Sequence, residues 1–198
     1  MTSLSTLETP ALILDKGIMM DNIQNMAQKL SAFNVQLRPH LKTCKSLDVA
    51  KRITPPGPHA PITVSTLAEA EYFLNGGYTD ILYAVSIVPS KLPHVATLQA
   101  KGAKITVILD TAAAAIAISD AADKMNADFH CLIEIDCDGK RAGLNPTDPE
   151  ILRIADIFRA ASRAQLDGVM THAGGSYYCK TQDEIIQFAE QERRAITA

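Results

Sequence analysis

An α/β fold of the TIM-type (β/α)8-barrel kind is predicted by three features of the chain. Apolar strand-like runs alternate with helical periodicities throughout, the pattern of a parallel sheet covered by helices. No GxGxxG follows the first run and no GxxxxGKS occurs, so the phosphate loops of doubly wound sheets are missing. Polar residues close the strand-like runs: Asp15, His40 and Lys42, Ser65, Ser86, Asp110, Glu134 and Asp136, and His172. In a barrel these ends share one mouth, where catalytic groups gather.

The elements follow in order. "ALILD" (11–15) reads as a strand, followed by a helix whose Met19, Ile23, Met26 and Leu30 recur at helical spacing. "VQLRPHLK" (35–42) is the next strand, and a helix from Ser46 to about Ile53 stops at the proline-rich "TPPGPHAP". "ITVS" (62–65) leads to a helix capped by Thr66 with Glu69 at the capping-box position; Leu67, Ala70 and Leu74 form its buried stripe and Gly76–Gly77 end it. "DILYAVS" (80–86) precedes a helix entered through Pro89. "KITVILD" (104–110) precedes an alanine-rich helix with Ala114, Ile118 and Ala121 inward. "FHCLIEID" (129–136) is followed by a helix presenting Ile151, Ile154, Phe158 and Ala161, then by strand "LDGVMTH" (166–172) and a last helix from about Gln182. That makes seven strands, where a closed barrel needs eight and typically about 250 residues. Residues 1–198 are therefore expected to be one barrel domain, ending before its last strand or strands and before a C-terminal β-domain.

Composition narrows the function. With 47% hydrophobic residues and a formal net charge of −3, the chain has ample material for a core and no general reason to bind nucleic acid. Met1 to Asp15 lacks the basic and apolar regions of a secretory signal, and no apolar run is long enough to span a bilayer. A cytoplasmic protein without membrane or nucleic-acid partners is expected. Cys44, Cys131, Cys137 and Cys179 show no CxxC or zinc-ribbon spacing, so they read as reduced packing residues.

The exception to the even charge is "RPHLKTCKS" (38–46), with Arg38, His40, Lys42 and Lys45 after an apolar run. One reading is a solvated strand end, its lysines in water and Arg38 paired with a surface carboxylate. The other starts from Lys42 at the strand's C-terminal end, where neighbouring positive charge disfavours its ammonium form and frees a nucleophilic amine. The same charges would attract an anion. Pyridoxal 5'-phosphate, an aldehyde bearing a phosphate, suits such a Schiff-base lysine.

"ETPALILD", "LRPHLKTCKS", "ITVSTLAEAEYFLNGGYTDILYAV", "LIEIDCDGKRAGL" and "GVMTHAGGSYY" together resemble the D-threonine aldolase and D-serine dehydratase family, which has the alanine racemase type of pyridoxal phosphate barrel. The resemblance implies that Lys42 forms the Schiff base and that Arg141 faces the cofactor's phenolic oxygen. It further implies that His172 lies against the cofactor ring and that Tyr177 moves a proton near the substrate. His40 joins Lys42, Arg141 and His172 in the cofactor-binding set. The family usually has histidine where this chain has Cys44 and Gly175.

The implied activity is a pyridoxal phosphate-dependent lyase acting on small D-3-hydroxy amino acids, as an aldolase or a dehydratase. The alternatives are an amino-acid racemase and a non-catalytic pyridoxal phosphate-binding homeostasis protein. A divalent metal is implied for the lyases, with ligands in a C-terminal region, so no metal site is expected within residues 1–198. Unclosed strand edges lead to the expectation of a homo-oligomer.

Overall fold

The computed structural model describes residues 4–57 and 59–198. Met1–Ser3 and Pro58, part of the predicted proline-rich break, lie outside the described residues. Five parallel strands form one sheet: β1 (Ile62–Val64), β2 (Asp80–Ser86), β3 (Lys104–Leu109), β4 (Phe129–Ile135) and β5 (Ala164–Thr171). They pair in sequence order, β1-β2-β3-β4-β5. A doubly wound sheet reverses its order partway; this one never does. Successive right-handed crossovers in one direction place every connecting helix on the same face.

Burial shows which face that is. Ile62, Val64, Ile81, Tyr83, Ile105, Val107, Cys131 and Ile133 alternate along β1 to β4 and are almost completely buried. They pack with residues of α3 (Leu67–Asn75), α4 (Leu92–Ala100), α5 (Ala112–Met125) and α6 (Glu150–Ala160) in one core. The intervening positions, among them Thr63, Leu82, Ala84, Glu134 and Met170, face the helix-free side and line a cavity. Since strand side chains alternate, β1, β2 and β4 each contribute to a dry core on one face and to the cavity lining on the other.

The helix starts follow local chemistry. Ser46, Thr66, Thr111 and Thr181 each accept a hydrogen bond from the backbone N–H three residues on, satisfying donors that a helix start leaves open. In α5 the buried set is Ala112, Ala115, Ile118 and Ala122, one position away from the predicted alanines. Ala114 and Ala121 are only partly buried, because a run of alanines is too uniform to fix a helical phase. In α6, Ile154 and Phe158 are buried, with Ile151 and Ala161 packed against the core.

Two predicted strands are not formed. Residues 11–15 carry no strand pairing, and Leu12 and Leu14 are exposed. Asp15 instead accepts from the Ile18 N–H and caps α1 (Lys16–Ala32), which has no buried residue. Of the predicted inward stripe of α1, Met19, Ile23 and Leu30 are partly buried and Met26 is exposed. The 35–42 segment keeps one bridge, His40 to Thr63, with Leu41 N–H donating to Thr63 O and Thr63 N–H to Pro39 O, both at 2.9 Å. Pro39 has no N–H for a ladder, and the chain turns immediately, Lys45 N–H closing onto Leu41 O at 2.9 Å.

Candidate functional site

The turn after Pro39 sorts the basic residues. Arg38 forks onto Asp80 at 2.9 and 3.2 Å and also donates to Ile62 O at 3.3 Å. Lys45 Nζ lies 3.2 Å from Glu69 Oε1. Lys42 is different: its side chain borders the cavity and, among the described residues, enters no hydrogen bond or ion pair. The carboxylate pairing that the solvated reading gives Arg38 is present, whereas Lys45, expected in water, is paired with Glu69, so two of the charges expected to crowd Lys42 have carboxylate partners.

The cavity has a volume of about 340 Å³, within the roughly 300–1,000 Å³ usual for small-molecule sites. His40, Lys42, Glu134, Arg141 and His172 all border it, at the C-terminal ends of β1, β4 and β5. Burial lowers His40 below its ordinary 6.5, and the Lys42 charge lowers it further. Burial, then the Arg141 and Lys42 charges, lower His172. Both rings are thus neutral at pH 7. His40 Nδ1 accepts the Lys42 N–H at 3.4 Å. A neutral imidazole accepting at one nitrogen carries its proton on the other, so His40 Nε2–H points to Ser65 Oγ, 3.4 Å away.

Arg141 reaches the cavity from the loop after β4, which folds back on its own strand. Leu144 N–H donates to Glu134 O and Asp136 N–H to Leu144 O, each at 2.9 Å. The return turns on Gly143, at φ 114°, where a Cβ would lie 2.7 Å from Asp136 N and 2.8 Å from Glu134 O. Asp136 Oδ1 accepts from Asp138 and Gly139 N–H, and Asp138 Oδ2 accepts from Gly175 N–H at 2.6 Å. Arg141 has no ion-pair partner among the described residues. Gly174 and Gly175 do not border the cavity. Added Cβ atoms there would lie 2.6 Å from Arg141 Cδ and 2.5 Å from the Phe188 ring, so the close approaches this pair permits are to those two side chains.

Tyr177 stands outside this group. It is exposed and does not border the cavity, but its ring meets that of His172 edge-on, with centroids 6.0 Å apart. Glu134, which sequence reasoning marked as a strand end without assigning it to the site, is buried on the cavity wall. Burial and the Asp110 charge raise its pKa above the ordinary 4.5, opposed by the Ser86 hydroxyl and by Arg141. A larger cleft at the N-terminal ends of β4 and β5 holds charges that are already paired, Arg163 with Asp128 and His130 with Asp167. All four cysteines are free, and burial pushes Cys131 up to about 12. Among the described residues, no three His, Cys, Asp or Glu side chains group to hold a metal ion, and no helix is long and apolar enough to cross a membrane.

A parallel sheet wound in one direction, with an unpaired lysine, an unpaired arginine and two neutral histidines at its C-terminal mouth, defines a β/α protein with a polar small-molecule site. The chain belongs to the alanine racemase N-terminal domain family, whose model matches residues 14–197. It is 42% identical over 191 residues to the D-threo-3-hydroxyaspartate dehydratase of Delftia sp. strain HT23, covering 96% of this chain and 50% of that protein. It is 29% identical over 192 residues to the D-threonine aldolase of Arthrobacter sp., again covering 96% and 50%. The solved Delftia dehydratase superposes with a TM-score of 0.91 at 43% identity, over 96% of this chain and 50% of that one. The chain spans about half the length of the curated relatives it matches.

Proposed function

We propose that the chain is the cofactor-binding part of a pyridoxal phosphate-dependent lyase acting on D-3-hydroxy amino acids, of the dehydratase or aldolase type. The observation that carries the reading is that Lys42 and Arg141 border one cavity without carboxylate partners, while Arg38 and Lys45 beside them are paired. A phosphate-bearing aldehyde needs a free amine and positive charge in one place, and this donor set fits it. The names of the dehydratase and aldolase relatives support the substrate class.

Pyridoxal phosphate, when bound, supplies an electron sink for the pair released as a bond at the substrate Cα breaks. Lys42 Nζ is the point of covalent attachment. Arg141 holds a negatively charged oxygen without giving up a proton, since a guanidinium stays charged at working pH. The neutral His172 ring packs against the ligand, and Tyr177 Oη, beyond it, carries a proton at the rim. His40 orients the Lys42 backbone through the bond to its N–H.

Residues 1–198 act in this reading as one β/α domain that associates with copies of itself. The chain exposes 12212 Å², against roughly 9,100 Å² for a compact monomer of its mass. The test of function is a cofactor titration by absorbance, with a product assay on D- and L-3-hydroxy amino acids using the natural gene product. Saturable absorbance change with keto-acid, glycine or aldehyde formation from D-substrates alone is expected. Equal turnover of L-substrates would contradict it in favour of racemase chemistry.

A further inference from the structure

We propose that Glu69 decides which lysine of the 38–46 segment is free to condense with an aldehyde, and so serves as a positioning residue for Lys42; this rests on the cofactor reading above. Lys42 and Lys45 sit on one turn, and nothing in their chemistry distinguishes them. Lys45 takes the left-handed conformation, at φ 44°, and its Nζ lies 3.2 Å from Glu69 Oε1. The second carboxylate oxygen of Glu69 accepts the Ser65 N–H at 2.8 Å. The Ser65 hydroxyl in turn faces His40 Nε2, and His40 Nδ1 accepts the Lys42 N–H. One carboxylate therefore holds Lys45 aside at one end and, at the other, anchors the strand-end turn that sets the His40 ring against Lys42.

Glu69 also stands at the start of α3, where its own N–H donates to Thr66 Oγ1 at 3.0 Å. A helix cap alone requires only an acceptor at position 69, which glutamine provides. The negative charge is required by Lys45 alone. An ammonium held against a carboxylate has no lone pair to attack a carbonyl. When a neutral amine does attack, the Nζ–C bond forms and the carbonyl oxygen leaves as water. Hydride from a borohydride and a proton from water then fix the link as a secondary amine.

The test compares wild type, Glu69→Gln, and Glu69→Gln with Lys45→Asn, asparagine being tolerated in the left-handed conformation. Each is treated with limiting formaldehyde and cyanoborohydride in the absence of cofactor, and separately with pyridoxal phosphate and borohydride, then peptide-mapped by mass spectrometry. In Glu69→Gln the share of label on Lys45 relative to Lys42 should rise several-fold in both treatments. The double variant should return pyridoxal phosphate to Lys42 alone. A Lys45 share equal in Glu69→Gln and wild type overturns the proposal. If Glu69→Gln does not fold, salt on wild type serves instead: the pair is half exposed on the lysine side, so screening should raise Lys45 labelling, and no response would count against the proposal. Wild type that takes formaldehyde at Lys42 but never pyridoxal phosphate contradicts the cofactor reading, while the formaldehyde treatment still decides the role of Glu69.

Discussion

The side chain of Arg141 lies over Gly174 so closely that a Cβ on that glycine would fall 2.6 Å from Arg141 Cδ and 2.7 Å from its Cγ. The obstacle is a flexible side chain rather than backbone, so Gly174→Ala should be accommodated by moving Arg141. Stability should change by less than about 1 kcal/mol, while, on the proposed function, pyridoxal phosphate absorbance and turnover by the natural gene product should both shift, in the same direction as the loss expected of an Arg141→Lys variant. Denaturant melts and absorbance spectra of both variants check this; a Gly174→Ala protein with wild-type spectrum and turnover would remove the contact from the site's workings.

Gly143 presents the opposite case. Its φ is 114°, and a Cβ would meet backbone atoms of residues 134 to 136 at 2.7 to 2.8 Å, with nothing flexible to yield. Gly143→Ala should cost more than about 2 kcal/mol and release the loop that carries Arg141. Urea melts measure the cost, and amide hydrogen exchange across 136–144 should show the loop opening.

Acid should weaken the site before it unfolds the core. His40 and His172 are held below 6.5, so the unfolded chain takes up their protons first. Their contribution is complete above pH 6.5 and is lost as the pH falls from there through the folded-state values. Glu134 has the opposite sign: raised above 4.5, its contribution is complete below that value and fades as the pH rises through its folded one. NMR titration should place both imidazoles below 6.5, and His172→Asn should flatten the acid limb of stability. Imidazoles titrating above 6.5 would contradict the burial assigned to them.

Exposed Leu12, Ile13, Leu14, Ile18, Phe33 and Val35 lie near one end of the sequence, and among the described residues β5 pairs only with β4. Apolar surface and an open strand edge of this kind favour association. Light scattering on the 198-residue chain should show oligomers at micromolar concentration, reduced by Leu14→Glu. A monodisperse monomer would refute self-association.

Removing divalent metal should leave cofactor binding by this chain unchanged, since no ligand cluster occurs among the described residues. Titration with and without a chelator checks this, and a chelator-sensitive affinity would require a metal site that these side chains do not form.

Local chemistry made much of this legible in the sequence. The caps Ser46 and Thr66 and strands β2 to β4 appear where hydroxyl positions and apolar runs place them. Residues 11–15 are as apolar as any observed strand, yet a strand exists only beside a neighbour, and the slot next to β1 is taken by residues 39–41. The "RPHLKT" stretch pointed to Lys42, but what separates it from Lys45 is an ion pair to a residue of another helix. In the sequence Glu69 is visible only as a capping residue. Likewise a carboxylate partner for Arg38 was foreseeable, but not that it is Asp80, 42 residues along the chain.

The most direct test of the account is to trap pyridoxal phosphate on the wild-type chain with borohydride and locate it by peptide mapping. One modified residue, Lys42, is expected, with the label reduced by competing anionic pyridoxal phosphate analogues. Label on Lys45, Lys51 or Lys91 in place of Lys42, or label spread evenly over exposed lysines, would contradict it.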